Sequence, residues 1–510
     1  MLRLCTTAFA LCAALVGEAH AALAITYGQT TNLRCSGGVC VATAPDATFG
    51  IKEIQKRLAY GDLTVVADDL AGDIVVDAPF HWASAHDLEL FAAHDIRIDK
   101  TIDVAGPGGV TLTSNDGRTD GTLSFGPGGN VHFWATTNAL TINYAPYALV
   151  NSLPALIGAI AAHPSNNYAL AADWDADAHG TYLSVPVPTL FHGAFDGLGH
   201  AIEHLRVRPD SAGNGFAGLF YSVAKEGSVA HLKLTAARFW GRYGKTVGGI
   251  AVLNQGLLTG NSVQGTFSAI QSNMGGVVGS NSGTVLDCHA QVQMSSTNGG
   301  GLGGIAANNL AGAMIDRSSS KGALSGSGLA FVGGLAAANA GTISRSWSSA
   351  NATTGNGTNH SASAAGGLVG INADRSASVS IVNSHATGDA AAGSDALAGG
   401  LTGASRFDGT ISAVYATGAV SGGARSFVGG VTGEYDSEGL SFASSYWDLD
   451  TSGVSNPAHG AGNIDSAPGI TGLSDAALKA ALPSGFDPAV WGRDPGINGG
   501  LPYLLSNLPN

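Results

Sequence analysis

Charge is scarce in this chain. Asp, Glu, Lys and Arg make up 12% of the 510 residues, about half of ordinary usage. The imbalance is acidic, 37 against 23, giving a net charge of −14 and a pI near 5.4. A basic stripe able to displace counterions is therefore excluded, and no nucleic-acid partner is expected. Beyond the N-terminus no run of 18 apolar residues occurs, so the mature chain is expected to have no transmembrane span. Nor is there a set of amphipathic ten-residue strands of the kind that closes a membrane barrel. Glycine is plentiful, 75 residues, but has no three-residue period, which excludes collagen. An apolar fraction of 45% argues against disorder.

Cysteine is also rare, with five residues in all. Cys5 and Cys12 fall in an N-terminal segment that reads as a secretory signal over residues 1–22: Arg3, the apolar run Ala8–Val16, and the small-residue site Ala19-His20-Ala21, with Ala22-Leu23-Ala24 as a second option. The mature chain is expected to be exported or held outside the cytoplasm by something else. Cys35 and Cys40 flank Ser-Gly-Gly-Val, a loop suited to a disulfide in an oxidising compartment. Cys288 is left over and is expected to be buried and inert.

What the chain has instead is repetition. The phrase GGIAVLN at Gly248, Gly249 to Asn254 returns as GGVVGSN (Gly275, Gly276 to Asn281) and GGIAANN (Gly303, Gly304 to Asn309). It returns again as GGLAAAN (Gly333, Gly334 to Asn339) and GGLVGIN (Gly366, Gly367 to Asn372). Two worn copies start at Gly399, Gly400 and at Gly429, Gly430. A period of about 30 residues marks a stacked repeat architecture. Each copy continues through a turn and a β-branched segment such as Gly341-Thr342-Ile343 into a small-residue strand. Apolar positions alternate at strand period, and glycine at this density would cost a helix about 1 kcal/mol per position. Each repeat is thus expected to form one coil of a β-solenoid. The recurring asparagines are expected to form a ladder of side-chain hydrogen bonds along the stack.

Residues 25–62 read as a lead-in, with a helix or capping segment at Ile51–Ala59. Residues 63–144 carry irregular coils, with strands expected at Leu63–Val66, Ile74–Val76, Leu88–Leu90, Ile96–Ile98, Ile102–Val104, Val110–Thr113, Leu123–Phe125, Val131–Trp134 and Leu140–Ile142. Over 145–215 the rhythm breaks: helix-spaced Leu149, Val150, Leu153, Leu156, Ile157 and Ile160 predict a helix across Tyr147–Ala162. Residues 216–440 hold the repeats. Residues 441–510 read as a cap, with a short helix at Asp475–Leu482 and the aromatics Trp447, Phe486, Trp491 and Tyr503 covering the end of the stack.

The GGLVGxN phrase and its GTIxxSxAxG half resemble the GLUG motif of large bacterial surface proteins. Phe191–Ile202, reading FHGAFDGLGHAI, and the SYWD at Ser445–Asp448 are similar to what accompanies those repeats in filamentous-haemagglutinin-like adhesins. The segment Gly72–Asn143 also resembles the haemagglutinin-type coils. The resemblance implies a right-handed parallel β-helix and a role at the bacterial surface. No entry domain of the two-partner secretion type is evident, although outer-membrane export machinery is an expected partner.

Few residues suggest chemistry. Asp173, Asp175 and Asp177 have the spacing that opens a calcium loop, but Ala178 and Ser184 stand where such a loop needs Gly and Glu, so a solvated acidic turn is the alternative. His200 and His204 lack the Glu placement of a zinc-protease helix, and His200 is expected to bond a solenoid corner. The other histidines, among them His81, His86, His94, His192, His231, His289, His360 and His385, are scattered along the chain. Gly326-Ser327-Gly328 lies in a corner rather than a nucleophile elbow. Asp316, Arg317 and Arg345 fall at similar repeat positions and are expected to stack as a surface ion pair. No catalytic residue, metal or cofactor is expected. The sequence reads as an all-β rod of roughly 14 coils and about 65 Å, an adhesin-like, non-catalytic protein that binds host or matrix glycans or surface proteins. The alternatives are a matrix scaffold with no specific receptor, and a β-helix polysaccharide lyase or hydrolase with paired carboxylates in a cleft.

Overall fold

The computed structural model describes residues 21–68, 70–114, 121–210, 215–360, 363–375, 378–436 and 438–509. Most of the leader segment, residues 1–20 with Cys5 and Cys12, lies outside the described residues. The chain is all-β, 50% strand and 7% helix, wound into a solenoid of about 14 turns. Nearly every inter-strand pairing is parallel and joins one coil to the next.

One coil shows how the repeat phrase folds. Strand Gly300–Gly303 leads through Gly304 and Ile305 into strand Ala306–Asn309, then Met314–Asp316, a corner at Arg317, and strand Ser319–Gly326. The paired glycines are needed for close approach. A Cβ on Gly303 would lie 1.9 Å from the Ala306 carbonyl oxygen, and one on Gly304 would lie 2.3 Å from the Gly334 oxygen and 2.4 Å from Ser320 Cβ. The same clash with a carbonyl of the following strand, at 1.8 and 1.9 Å, fixes Gly275 and Gly366. The opposite corner is turned by left-handed residues, including Asp287, Arg317, Arg345 and Asn383 at φ 50°, 46°, 43° and 48°.

The asparagines form one continuous chain inside the stack. Nδ2 of Asn254 donates to Oδ1 of Asn281 (2.8 Å), Asn281 to Asn309 (2.9 Å), Asn309 to Asn339 (2.8 Å) and Asn339 to Asn372 (2.7 Å). The next position in register is Ser405, whose hydroxyl pairs with Thr402 instead, and among the described residues the buried Asn372 Nδ2 has no hydrogen-bond partner. The ladder stops where the repeat phrase wears out. A second ladder runs through Ser318, Ser346 and Ser384: the Ser346 hydroxyl accepts from the Ser318 N–H (3.1 Å) and the Ser384 hydroxyl from the Ser346 N–H (3.3 Å). Cys288 occupies a rung of this column, fully buried, its thiol pushed up to about 12 by burial.

The strands expected over 63–144 are present and stack in three sheets. Ala22–Thr26 and Thr48–Gly50 join one of them, and helix α1 (Ile51–Leu58) buries Ile54 and Leu58 against the first coils. At Asn143 and Tyr144, φ 47° and 66°, the chain reverses. Ala145–Val150 pairs antiparallel with Leu140–Ile142 and parallel with Tyr168–Leu170. The helix expected over Tyr147–Ala162 is thus shorter. Its first residues are strand, because Leu149 and Val150 are held by these pairings, and helix α2 (Leu153–Ala162) begins only after the Ser152 cap accepts from the Ala155 N–H. The reversal divides the solenoid into an N-terminal and a C-terminal block, and Leu149, Ala169, Ala171 and Leu198 from beyond the reversal complete the core of the first.

The aromatics of the C-terminal segment divide between two tasks. Trp447 points into the last coil and closes the interior, its Nε1–H donating to Val454 O. After helix α3 (Asp475–Ala480) the chain runs back along the side of the stack rather than over its end. It covers an outward column formed by Trp347, His385, Tyr415 and Tyr446, which are in register on successive coils. The contacts progress down the column. Tyr446 donates its hydroxyl to Ser484 O, Tyr415 to Pro502 O and Trp347 Nε1 to Asn507 O, while Asn507 Nδ2 reaches Ser318 O. His385 is sandwiched between Trp347 and Tyr415, ring centroids 6.1 and 4.8 Å away. It is 1% exposed and its Nδ1 has no partner among the described residues, and burial holds its pKa down to about 3.

Two outcomes follow from these packings. Replacing Ser405 by Asn together with Thr402 by Val offers Asn372 the missing acceptor and should raise stability by about 1 kcal/mol, read as a shifted urea midpoint. Unfolded histidine takes up its proton near pH 6.5 while folded His385 resists to about pH 3. Stability should therefore fall as pH drops below about 6.5, by up to about 1.4 kcal/mol per pH unit from this group. His385→Phe should flatten the slope in that window, measured as the difference between wild-type and variant unfolding curves from pH 7 to 4.

Candidate functional site

Where the two blocks meet, the outer surface carries a groove of about 510 Å³. Its floor is a three-stranded parallel sheet, Phe80–Trp82, Ile102–Val104 and Val131–Phe133. Each strand is an apolar–polar–apolar triplet whose outer residues are buried in the core, so the middle residue must face out: His81, Asp103 and His132, in register and about 4.8 Å apart from coil to coil. Trp134 follows the third strand. It is 70% exposed, yet its orientation is fixed, because its Nε1–H donates to Asp103 Oδ1 at 2.8 Å. The C-terminal block supplies the other wall with Asp173 and His200.

His200 is the joint between the blocks. It is 2% exposed, with Nδ1 3.0 Å from Asp173 Oδ1 and Nε2 3.0 Å from Val131 O. The corner bond expected for it is therefore present, and it links across the chain reversal. The hydrogen bond from His200, with a second from the Ala201 N–H, holds the Asp173 carboxyl below its usual range. His132 packs edge-on to both His200 and Trp134, centroids 5.8 and 6.5 Å. Among the described residues no Lys or Arg lines the groove.

The acidic triplet does not gather as a calcium loop. Each carboxylate reaches a different partner on the next coil: Asp173 to His200, Asp175 to His204 at 2.9 Å, and Asp177 to Arg206 at 2.8 Å. Asp175 also accepts the Asp177 N–H, which with His204 holds its carboxyl below the usual range. Asp175, Glu203 and His204 bring one donor atom each within 4.8 Å of one another, but all three are solvent-accessible and two of them already bond each other. The row is a set of cross-coil ion pairs.

The repeat glycines and asparagines lie inside the stack, away from the groove. Cys35 and Cys40 are disulfide-bonded across a hairpin turned by Gly37 and Gly38. The expected surface pair at the repeats is in fact partly buried. Arg317 grips Asp287 with two bonds of 2.8 Å, and Arg345 grips Asp316, whose side chain is 2% exposed. A buried carboxylate held in two bonds lies beyond the solvent screening assumed for a surface pair.

No protein-family model matches the sequence, and no curated protein matches it. Among solved structures the chain is similar to an IgA1 protease at 21% identity and a TM-score of 0.39, covering 58% of this chain and 21% of that one. It is also similar to a Bacteroides ovatus protein provisionally named an immunoglobulin A1 protease, at 15% identity and a TM-score of 0.36, covering 71% and 93%. The chain thus spans about a fifth of the first of these proteins. Both are named as enzymes, and the expectation of a non-catalytic chain is withdrawn on that finding.

The row and the joint should respond differently to mutation. Asp173→Asn removes the carboxylate from a buried imidazole and should cost about 1–3 kcal/mol. Asp177→Asn loses only a half-exposed pair and should cost at most about 1 kcal/mol. Equal losses in chemical denaturation would contradict the assignment of His200 as the joint.

Proposed function

We propose that this chain is an exported, surface-associated attachment protein of the GLUG, filamentous-haemagglutinin-like kind, and that it binds glycan chains in the groove between its two blocks. The observation that carries the reading is Trp134. A large aromatic face left 70% exposed, with its polar edge already tied to Asp103, is a preformed stacking platform. Around it His81, His132 and Asn130 offer hydrogen-bonding groups to hydroxyls, and the groove is open and shallow, suited to a chain rather than an enclosed small molecule. The long stack of coils presents the groove on a rigid body.

A second reading has its own observation. Asp103 and Asp173 line the same groove, and a pair of carboxylates is what polysaccharide cleavage requires. Asp173, held low by His200, fits the ionised partner of such a pair. On this reading a water would attack the anomeric carbon and give its proton to Asp173, while Asp103 or His132 protonates the departing sugar oxygen, so the glycosidic bond is exchanged for one to the water oxygen.

Trp134→Ala should lower glycan affinity at least ten-fold on an array or by calorimetry, with circular dichroism and melting temperature unchanged. Undiminished binding by this variant would remove the groove from the reading. Release of reducing ends by wild type, abolished in Asp103→Asn and Asp173→Asn, would favour cleavage over attachment.

A further inference from the structure

Resting on the glycan reading above, we infer that the groove selects by charge: it prefers chains carrying fixed positive groups, accepts neutral ones and rejects those carrying carboxylates. Asp103 sits on the central strand of the floor, flanked in register by His81 and His132. One of its oxygens accepts the Trp134 indole N–H, and among the described residues it takes no other hydrogen bond. An ammonium placed over the exposed Trp134 ring meets an aromatic face and the free side of that carboxylate together, the two features that bind cations best outside a metal site.

The rest of the lining points the same way. Asp173 is the second carboxylate, already engaged by His200 and the Ala201 N–H, so it adds negative potential without needing a ligand. Beyond His200, the lysine that acts on it, Lys233, has its Nζ 3.4 Å from Pro127 O and does not line the groove. A sugar carboxylate would therefore meet two carboxylates and, among the described residues, no lysine or arginine, the arrangement by which a site excludes a wrong partner. The net charge of −14 attracts cationic chains over longer range, an effect that salt should weaken.

The test uses the full chain at pH 8, where ordinary imidazoles are neutral, and three hexasaccharide probes. These are an N,N,N-trimethylglucosamine hexamer with fixed charge, an N-acetylglucosamine hexamer and a galacturonate hexamer, titrated calorimetrically at low and high salt. The fixed-charge probe should bind about ten-fold tighter than the neutral one at low salt, the gap should shrink at high salt, and the acidic probe should not bind measurably. Asp103→Asn changes the net charge by one and preserves shape, so it should narrow the gap between cationic and neutral probes at least five-fold, the neutral-probe affinity of the same variant serving as its own reference. Equal binding of cationic and neutral probes, a preference for the acidic one, or a gap unchanged in Asp103→Asn would overturn the charge selection and leave the glycan reading standing. Failure of all three probes would overturn both together. Asp173→Asn, whose circular dichroism reports whether the joint survives, separates a local charge effect from loss of the groove.

Discussion

The distance from the glycine corner to its neighbours sets the cross-section of this molecule. At Gly303 and Gly304 the backbone comes so near the following strand and the next coil that no Cβ fits. The facing positions, Ala290, Ser320, Ser348 and Ala386, are correspondingly small. A core this thin buries little apolar area per coil, so polar groups inside it must be matched one to one along the axis. The asparagine and serine ladders do this. Each rung satisfies its neighbour only if the coils stay in register, which couples the corner geometry to the order of the whole stack. The cost appears where the pattern lapses, at the unpartnered Asn372 Nδ2.

Much of this was legible in the sequence because the repeat is the constraint written out. The double glycine marks the corner and the asparagine marks the rung. The strands at Ile96–Ile98, Ile102–Val104, Leu123–Phe125 and Leu140–Ile142 fall on alternating apolar positions with turn residues between them. The misplaced start of α2 has a simple source. Leu149 and Val150 satisfy a helical spacing and a buried strand equally well, and only their parallel pairing with Ala169 and Leu170 decides between them.

The groove was harder to read. His81, Asp103 and His132 are 22 and 29 residues apart, in coils of unequal length with no shared phrase. A signal was nonetheless present in the triplets Phe80-His81-Trp82, Ile102-Asp103-Val104 and Val131-His132-Phe133, each with one polar residue between two large apolar ones. Asp173 and His200 join them only through the reversal at Asn143 and Tyr144, which no periodicity encodes. The acidic triplet was legible as a row but not as a set of cross-coil pairs, since the partners His204 and Arg206 are recruited by stacking.

The returning C-terminal segment restricts how this molecule can change length over evolutionary time. Duplicating a whole coil keeps the ladders in register and is locally harmless. Between Ser318 and Tyr446, however, a duplication would slide the column by one rung beneath a segment whose contacts run from Ser484 to Asn507. Coils between Gly248 and Asp316 carry no such passenger. Homologues of different length should therefore have gained or lost their coils in that stretch, lengthening the rod between groove and clasp while leaving both unaltered.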